Sequence, residues 1–301
     1  MRYSMTEKTF NRVAIIGRQR QENSKETFKA LYEYLKTRGY KTVFERETAP
    51  ELSLNADERI SQDRLAEACD ILLVVGGDGS LLHAARVAID QSLPVAGVNR
   101  GRLGFLTDIY PHQFAKIEQL LNGQYHEEQR FLLNGYIQRQ AQVTVAIPAL
   151  NEIVLSAGNI AHMVEFSIAV NGQSVCEMRA DGLIVATPTG STAYALSGGG
   201  PILHPGLHAV VLVPMFPHTL SNRPIVLDAD SRISICIPEN NEAIPYISGD
   251  GQKRVPISPG ETLIIEKKSQ TLRLIHPLDY NYFETLRSKL GWQGSAVPLN
   301  K

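Results

Sequence analysis

Apolar residues fall along this chain in two different rhythms. Up to about residue 125, apolar runs without alternation are separated by stretches with helical spacing. RVAIIG (12–17), KTVFE (41–45), DILLVVGG (70–77) and PVAGVN (94–99) read as strands. Between the first two, SKETFKALYEYLKTRG sets Phe28, Leu31 and Leu35 on one helical stripe, with Asn23 or Ser24 as N-cap and Gly39 as terminator. DRLAEA and LLHAARVAI predict a short and a longer helix. Strands that do not alternate, set between helices, indicate a parallel sheet covered on both faces.

Beyond residue 125 the runs shorten and turn residues punctuate them. RFLLNGYIQRQ, QVTVAIPALNEIVLS, MVEFSIAVNG, GLIVATP, HAVVLVPM, RISICIP and TLIIEKK are β runs, and VNGQSV and SGDGQ look like hairpin tips. This spacing predicts a β-sandwich-like second domain. LDYNYFETLRSKLGW is helical again, and its stripe of Phe283, Leu286 and Leu290 has no obvious place in a sandwich. The expected organisation is therefore an α/β domain over 1–124 completed by 277–301, and a β-rich domain over 125–276. No internal repeat or low-complexity linker interrupts it.

Composition narrows the function classes. With 301 residues there is room for two cores. The net charge of −1 supplies no general field for nucleic acid or an anionic membrane, so any anion site must be local. Cys69, Cys176 and Cys236 are too scattered for a zinc site or a disulfide framework. The polar start MRYSMTEKTF and the lack of an apolar run of about 20 residues suggest a soluble cytoplasmic protein.

Three segments carry candidate chemistry. The first is GGDGS (76–80), a glycine turn between a strand and a helix, where the carboxyl ends of parallel strands open a ligand crevice. It is no ordinary P-loop, because GxxxxGK[ST] is absent. Asp78 in its middle has three plausible jobs: binding Mg²⁺, accepting a proton from an attacking hydroxyl, or holding a sugar hydroxyl. The plain alternative is helix capping by Asp78 or Ser80. The second segment is ALNEIVLS, whose adjacent Asn151 and Glu152 suit vicinal ribose hydroxyls, or else a β-bulge. The third is MRADGLIVATPTGSTAYALSGGGP (178–201), dense in hydroxyls and bare backbone, with Tyr194 as a ring that could stack on a base.

Together these segments resemble the NAD kinase family. The likeness runs over most of the chain: GGDGS, VNRGRLGFLTD, LNEIVL, RADGLIVATPTGSTAYALSGGGPI, PMFPHTLSNRP and SGDGQ. GGDG alone is shared with diacylglycerol-type lipid kinases and resembles motifs of phosphofructokinases; TPTGSTAY with NE and PHTLSNRP is far more specific. Ser80 departs from a frequent Thr and keeps the hydroxyl. The resemblance implies ATP-dependent phosphorylation of the 2′-hydroxyl on the adenosine ribose of NAD, with Mg²⁺ as the divalent metal. It also implies a Rossmann-like first domain, a β-rich NAD-binding domain and a homo-oligomer, tetramer or dimer. Asp78 would be the proton acceptor, with Gly79 and His83 near the dinucleotide. Asn151 and Glu152 would hold ribose hydroxyls. His162, Arg179, Asp181 and Thr189 would line the NAD site, with Thr192, Ala193, Tyr194, Ala195, Leu196 and Ser197 as its adenine-side loop. Asp250 and Gln252 would reach in from a hairpin, across a subunit boundary in one version. Arg100 and Arg102 are candidates for ATP phosphates, and His204, His208 and His218 show no metal-ligand spacing. Two rivals stand beside this reading: a lipid kinase, which needs an apolar acyl groove, and a dinucleotide-sensing module without turnover.

Overall fold

The computed structural model describes residues 10–17, 24–50, 52–100, 104–139, 142–158, 163–219, 221–241 and 244–292. The chain divides into two compact units, Met1–Gln129 with Leu272–Lys301, and Arg130–Thr271.

The first unit opens with β1 (Arg12–Gly17), α1 (Ser24–Thr37), β2 (Lys41–Glu45), β3 (Arg59–Ile60) and α2 (Leu65–Ala68). It continues through β4 (Ile71–Gly76), α3 (Asp78–Asp90), β5 (Val95–Asn99) and α4 (Phe114–Leu121). The strands pair in the order β3-β2-β1-β4-β5, all parallel. Their direction of growth reverses between β1 and β4, which sets a ligand crevice beyond the carboxyl ends of those two strands. One face packs on Phe28, Leu31 and Leu35 of α1 and Ile117, Leu120 and Leu121 of α4. The other is covered by α3, which buries Leu81, Leu82, Ala84, Ala85, Ala88 and Ile89. β4 is therefore buried at every position, and its apolar run shows no alternation.

β6 (Tyr125–Arg139) leads into the second unit, which continues as β7 (Gln142–Ala149), β8 (Glu152–Ser156), β9 (Val164–Val170) and β10 (Gln173–Ala180). Next come β11 (Gly182–Ala186), α5 (Tyr194–Ser197), β12 (Ala209–Met215), β13 (Ile225–Asp228) and β14 (Ile233–Cys236). β15 (Tyr246–Gly249), β16 (Lys253–Pro256) and β17 (Thr262–Pro277) follow. One antiparallel sheet runs β13-β12-β11-β8-β15-β16, and the other contains β10-β9-β14-β17 with β6 and β7. Their inner faces share one core, including Ile153, Leu183, Val185, Ile233, Ile235 and Leu263. On β11 the alternate residues Ile184 and Ala186 enter a second cluster with Ala195, Leu203, Val211 and Val213. GLIVA thus reads as continuously apolar because both faces of the strand are covered. Both expected hairpin tips are present: Asn171–Gly172 (φ 51°, 80°) and Asp250–Gly251 (φ 51°, 63°) hold two successive positive φ values.

β17 then re-enters the first unit, where Leu274 pairs in parallel with Val95 of β5 and Ile275 joins the core. The last element, α6 (Tyr282–Leu290), also belongs there. Asn281 caps it, its carboxamide oxygen accepting from the Phe283 and Glu284 amides at 3.0 and 3.2 Å, and Gly291 (φ 68°) ends it. The buried face differs from the expected stripe. Tyr282, Thr285 and Leu286 are buried, whereas Phe283 is 56% exposed; the helix has the expected bounds but turns the 282/285/286 row inward, which shares only Leu286 with that stripe. α3 also begins earlier than LLHAARVAI suggests, at Asp78 itself, with Gly77 as N-cap. β3, β10 and β13 are strands that periodicity alone does not reveal.

Candidate active site

The glycine turn closes β4 and opens α3. Asp78, half-buried, is the first helical residue, and no side chain caps this helix, so neither Asp78 nor Ser80 serves as its cap. The Asp78 carboxylate turns instead to the segment after β5. It accepts hydrogen bonds from the Phe105 amide at 2.9 Å, the Leu106 amide at 3.0 Å and the Thr107 hydroxyl at 3.2 Å. Gly104 makes this approach possible, because a Cβ there would lie 2.1 Å from Asp78 Oδ1. The segment is itself anchored. The Asn99 amide donates to the Ile109 carbonyl at 2.7 Å, and the Asn99 carboxamide donates to Thr107 O and Oγ1 at 3.1 and 2.9 Å. A carboxylate has about four lone-pair positions. Two donors on Oδ1 and one on Oδ2 leave a single direction on Oδ2 open among the described residues.

A cavity of about 830 Å³ lies in this unit, with Gly17, Glu45, Arg46, Gln62, Ser80 and His83 among its lining. It contains the ends of β1 and β2 and one flank of the α3 N-terminus, as the strand order requires. His83 is half-buried, its Nε2 lying 3.4 Å from Gln62 Nε2. A side chain at Gly79 would meet open space, so its backbone is bare at the helix start.

In the second unit the Asn151–Glu152 pair forms a turn into β8. Asp250, on the β15–β16 hairpin, pins that turn: its carboxylate accepts from the Leu150, Asn151 and Glu152 amides at 3.0, 2.8 and 3.3 Å. Asp250 thus acts on the backbone of its own chain and needs no subunit boundary to meet this segment. Glu152 is 6% exposed. Burial pushes its carboxyl up to about 8, the nearby Asp250 charge adds to this, and a hydrogen bond from the Tyr194 amide opposes it. Asn151 Oδ1 and Glu152 Oε2 are buried acceptors without a protein partner. Such atoms are costly unless something else satisfies them.

The hydroxyl-rich block divides into two sets. Thr187 and Ser191 are fully buried and structural. Thr187 Oγ1 donates to the Leu150 carbonyl at 2.6 Å, and Ser191 Oγ donates to Pro188 O at 2.7 Å and accepts from the Leu203 amide at 2.9 Å. Gly190 packs on the Asn151 carbonyl, which a Cβ would approach to 2.1 Å. Thr189 Oγ1 accepts from buried Arg130 at 3.1 Å, which leaves its own proton to donate. Tyr194 is 46% exposed, Ser197 is exposed, and Thr192, Ala193 and Leu196 are half-buried. Ala195 departs from the expected ligand loop: its methyl group is buried in the cluster beneath α5.

Arg179 and Asp181 lie at the end of β10 and the turn after it. Arg179 lies 3.8 Å from Glu165 across the β9–β10 pair, and Asp181 is exposed. Gln252 is exposed at its hairpin tip, and Arg100 is half-buried. His162 and Arg102 lie outside the described residues. His208, without metal-like spacing in sequence, meets Asp228 and Asp230 in space; these groups are exposed and Lys267 already contacts both His208 and Asp230. Sequence reading missed the Phe105–Thr107 donors, buried Arg130, and a buried His276 at the end of β17. RGRLGFLTD held the signal for the first, in the small Gly104 and the hydroxyl of Thr107.

Comparison with known proteins decides the family. A family profile for the ATP-NAD kinase N-terminal domain matches residues 13–126, and one for the C-terminal domain matches 150–277. The chain belongs to the NAD kinase family. It is 51% identical to an NAD kinase of Coxiella burnetii over 291 residues, covering 97% of each chain. To an NAD kinase of Chromohalobacter salexigens it is 50% identical over 284 residues, covering 94% of this chain and 97% of the other. The fold matches a yeast NADH kinase complexed with NADH at a TM-score of 0.85 and 23% identity, covering 96% and 89%. It also matches an Archaeoglobus fulgidus NAD kinase in complex with ATP at a TM-score of 0.71 and 26% identity, covering 92% and 99%. An NAD kinase fold accounts for both the parallel unit and the sandwich.

Proposed function

We infer that this chain transfers the γ-phosphoryl group of ATP to the 2′-hydroxyl on the adenosine ribose of NAD, giving NADP. It is a phosphotransferase of the NAD kinase family. The observation that carries the substrate reading is the pair of buried orphan acceptors, Asn151 Oδ1 and Glu152 Oε2. Vicinal ribose hydroxyls, each both donor and acceptor, would satisfy Asn151 Oδ1 and the Glu152 carboxyl in the protonated form that burial favours. Tyr194 offers an exposed ring for a base, Thr189 a free hydroxyl proton, and Thr192 and Ser197 further donors. Asp181, Arg179, His162 and Gln252 complete the proposed NAD set.

In the first unit, phosphates meet the N-terminus of α3, where the backbone of Gly79 is bare and the helix dipole favours negative charge. Asp78 takes the proton of the attacking hydroxyl through its one open direction. Three protein donors fix its orientation, and phosphoryl transfer depends on positioning and charge more than on strong base catalysis. Those same donors leave Asp78 one open direction, and the divalent metal, Mg²⁺, would come with ATP and offset the charge of its phosphates. No described acidic cluster offers a better seat, because Lys267 already fills the one around His208. The exposed apolar residues Ile225 and Val226 on edge strand β13 support a homo-oligomer, dimer or tetramer. No helix among the described residues is long and apolar enough to cross a membrane. We place the enzyme in the cytoplasm, where both substrates are abundant.

The test is NADP formation from NAD, measured with ATP and Mg²⁺, without donor, and with diacylglycerol as competing acceptor. NADP should form only with ATP and Mg²⁺. Lipid phosphorylation without NADP would overturn the reading.

A further inference from the structure

The segment that orients Asp78 runs into an ion cluster built around a buried histidine. Asp108 follows Thr107 directly, and its Oδ2 lies 2.7 Å from Nδ1 of His276, at the end of β17. His276 is fully buried, and its Nε2 is 3.4 Å from Glu128 Oε2 on β6. The Tyr280 ring stacks on the imidazole at 3.9 Å between centroids and 9° between planes. All four residues lie in the first unit. None touches the glycine turn itself, and nothing in the phosphoryl-transfer chemistry requires a histidine here.

We propose that His276 is a positioning residue for the phosphoryl transfer: by gripping Asp108 it holds the 104–109 segment whose amides aim the Asp78 carboxylate. The route is short and covalent. Phe105, Leu106 and Thr107 donate to Asp78, and the next residue is Asp108. On the other side, Ile109 and Thr107 are fastened to the end of β5 by Asn99 and Gly97. The segment is thus held at β5 and at His276, and Asp78 reads its position.

The grip depends on protonation. The titratable groups facing the imidazole are Asp108 from the 104–109 segment, Glu128 from β6 and Tyr280 from the turn after β17. Burial pushes the histidine toward its neutral form, but the two carboxylates outweigh this and hold it charged above its ordinary range. Raising the pH through that raised value removes the positive charge that Asp108 and Glu128 face on the imidazole. The grip on Asp108 then weakens, and turnover falls while substrate affinities change little.

This inference rests on the reading of Asp78 as proton acceptor, so the experiment has a mechanical arm and a kinetic arm. The variants are His276→Gln and Asp108→Asn, each in the full chain. The mechanical arm is amide hydrogen exchange at Phe105 and Leu106. Both variants should exchange there roughly tenfold faster than the wild-type chain, while β1 and β4 amides stay protected. The kinetic arm is kcat at saturating ATP and NAD across pH. Wild-type kcat should decline as His276 loses its proton; both variants should start roughly tenfold lower, lack that decline, and keep KM within about twofold. Unchanged exchange in both variants overturns the proposal, and so does a kcat profile that keeps the wild-type decline. If His276→Gln does not fold, Asp108→Asn decides alone, because it removes the charge but keeps the size and an acceptor. Asp78→Asn is the control: near-normal kcat there means that the proton-acceptor reading has failed, and the exchange arm still judges the grip.

Discussion

Asp78 and Glu152 are both carboxylates at the start of a regular element, and their surroundings are opposite. Asp78 is half-buried and receives three donors from a single segment. Glu152 is 6% exposed, has one oxygen with no partner, and is pushed up to about 8. One acid is fully oriented before any ligand arrives; the other has an oxygen that stays unpartnered until one does. The difference separates a group that must be aimed from a group that must be filled. It assigns orientation to the Gly turn and recognition to the NE turn.

The largest effect should come from Asp78→Asn, with kcat falling by roughly 10²–10⁴-fold in a steady-state assay. Asn matches the shape of Asp but not its hydrogen bonding: one oxygen becomes an NH₂ facing backbone N–H donors. The variant therefore loses both the proton acceptor and the aim. Retention of near-normal kcat would remove Asp78 from the mechanism. Gly104→Ala sharpens the point by leaving the carboxylate chemically intact. The new methyl would sit 2.1 Å from Asp78 Oδ1, so the acid must move. We expect kcat to drop by roughly 10²-fold, as small misplacements do, with NAD affinity nearly unchanged.

Glu152→Gln addresses the other side of the comparison. Between pH 4.5 and about 8 the unfolded chain gives up this proton while the folded chain keeps it, so folded stability declines across that window and levels off above it. Gln cannot ionise. Its thermal melt should exceed that of the native chain at pH 9 by the equivalent of about 1–3 kcal/mol and match it near pH 4. NAD binding by titration calorimetry should weaken by about tenfold, from the loss of one hydrogen bond to the ribose. A melt insensitive to this substitution at pH 9 would contradict the assigned environment. Ser191→Ala should have the smallest effect, costing about 1–3 kcal/mol of stability by leaving the buried Leu203 amide unpaired, with kinetic constants unchanged at 25 °C. A change in KM for NAD would move Ser191 from scaffold to ligand contact.

What the sequence revealed follows the same division. RVAIIG, ILLVVG and GLIVA were legible as buried strands because each is covered on both faces. The two positive-φ tips were legible because Asn-Gly and Asp-Gly accept that backbone readily. β10 and β13 were not, since QSVCEMRA is mostly exposed and IVLD is an edge strand with little buried surface. In the sites, the residue types were legible and their partners were not. Thr187 and Thr189 look alike in TPTG, yet one hydroxyl is spent on Leu150 and the other faces Arg130. The grip of Asp250 on residues 150–152 joins positions about 100 apart, and no local pattern announces it. The same holds for His276 and Asp108, 168 residues apart.

The return of β17 has a consequence for the order in which the protein is made. Residues 130–271 form a complete unit by themselves, so the sandwich can close as soon as they have left the ribosome. The parallel sheet is started first and finished last. Until Leu274 arrives beside Val95, β5 is an uncovered edge and the core around Ile275 is open. During synthesis the half that carries Asp78 therefore waits for the half that was begun after it.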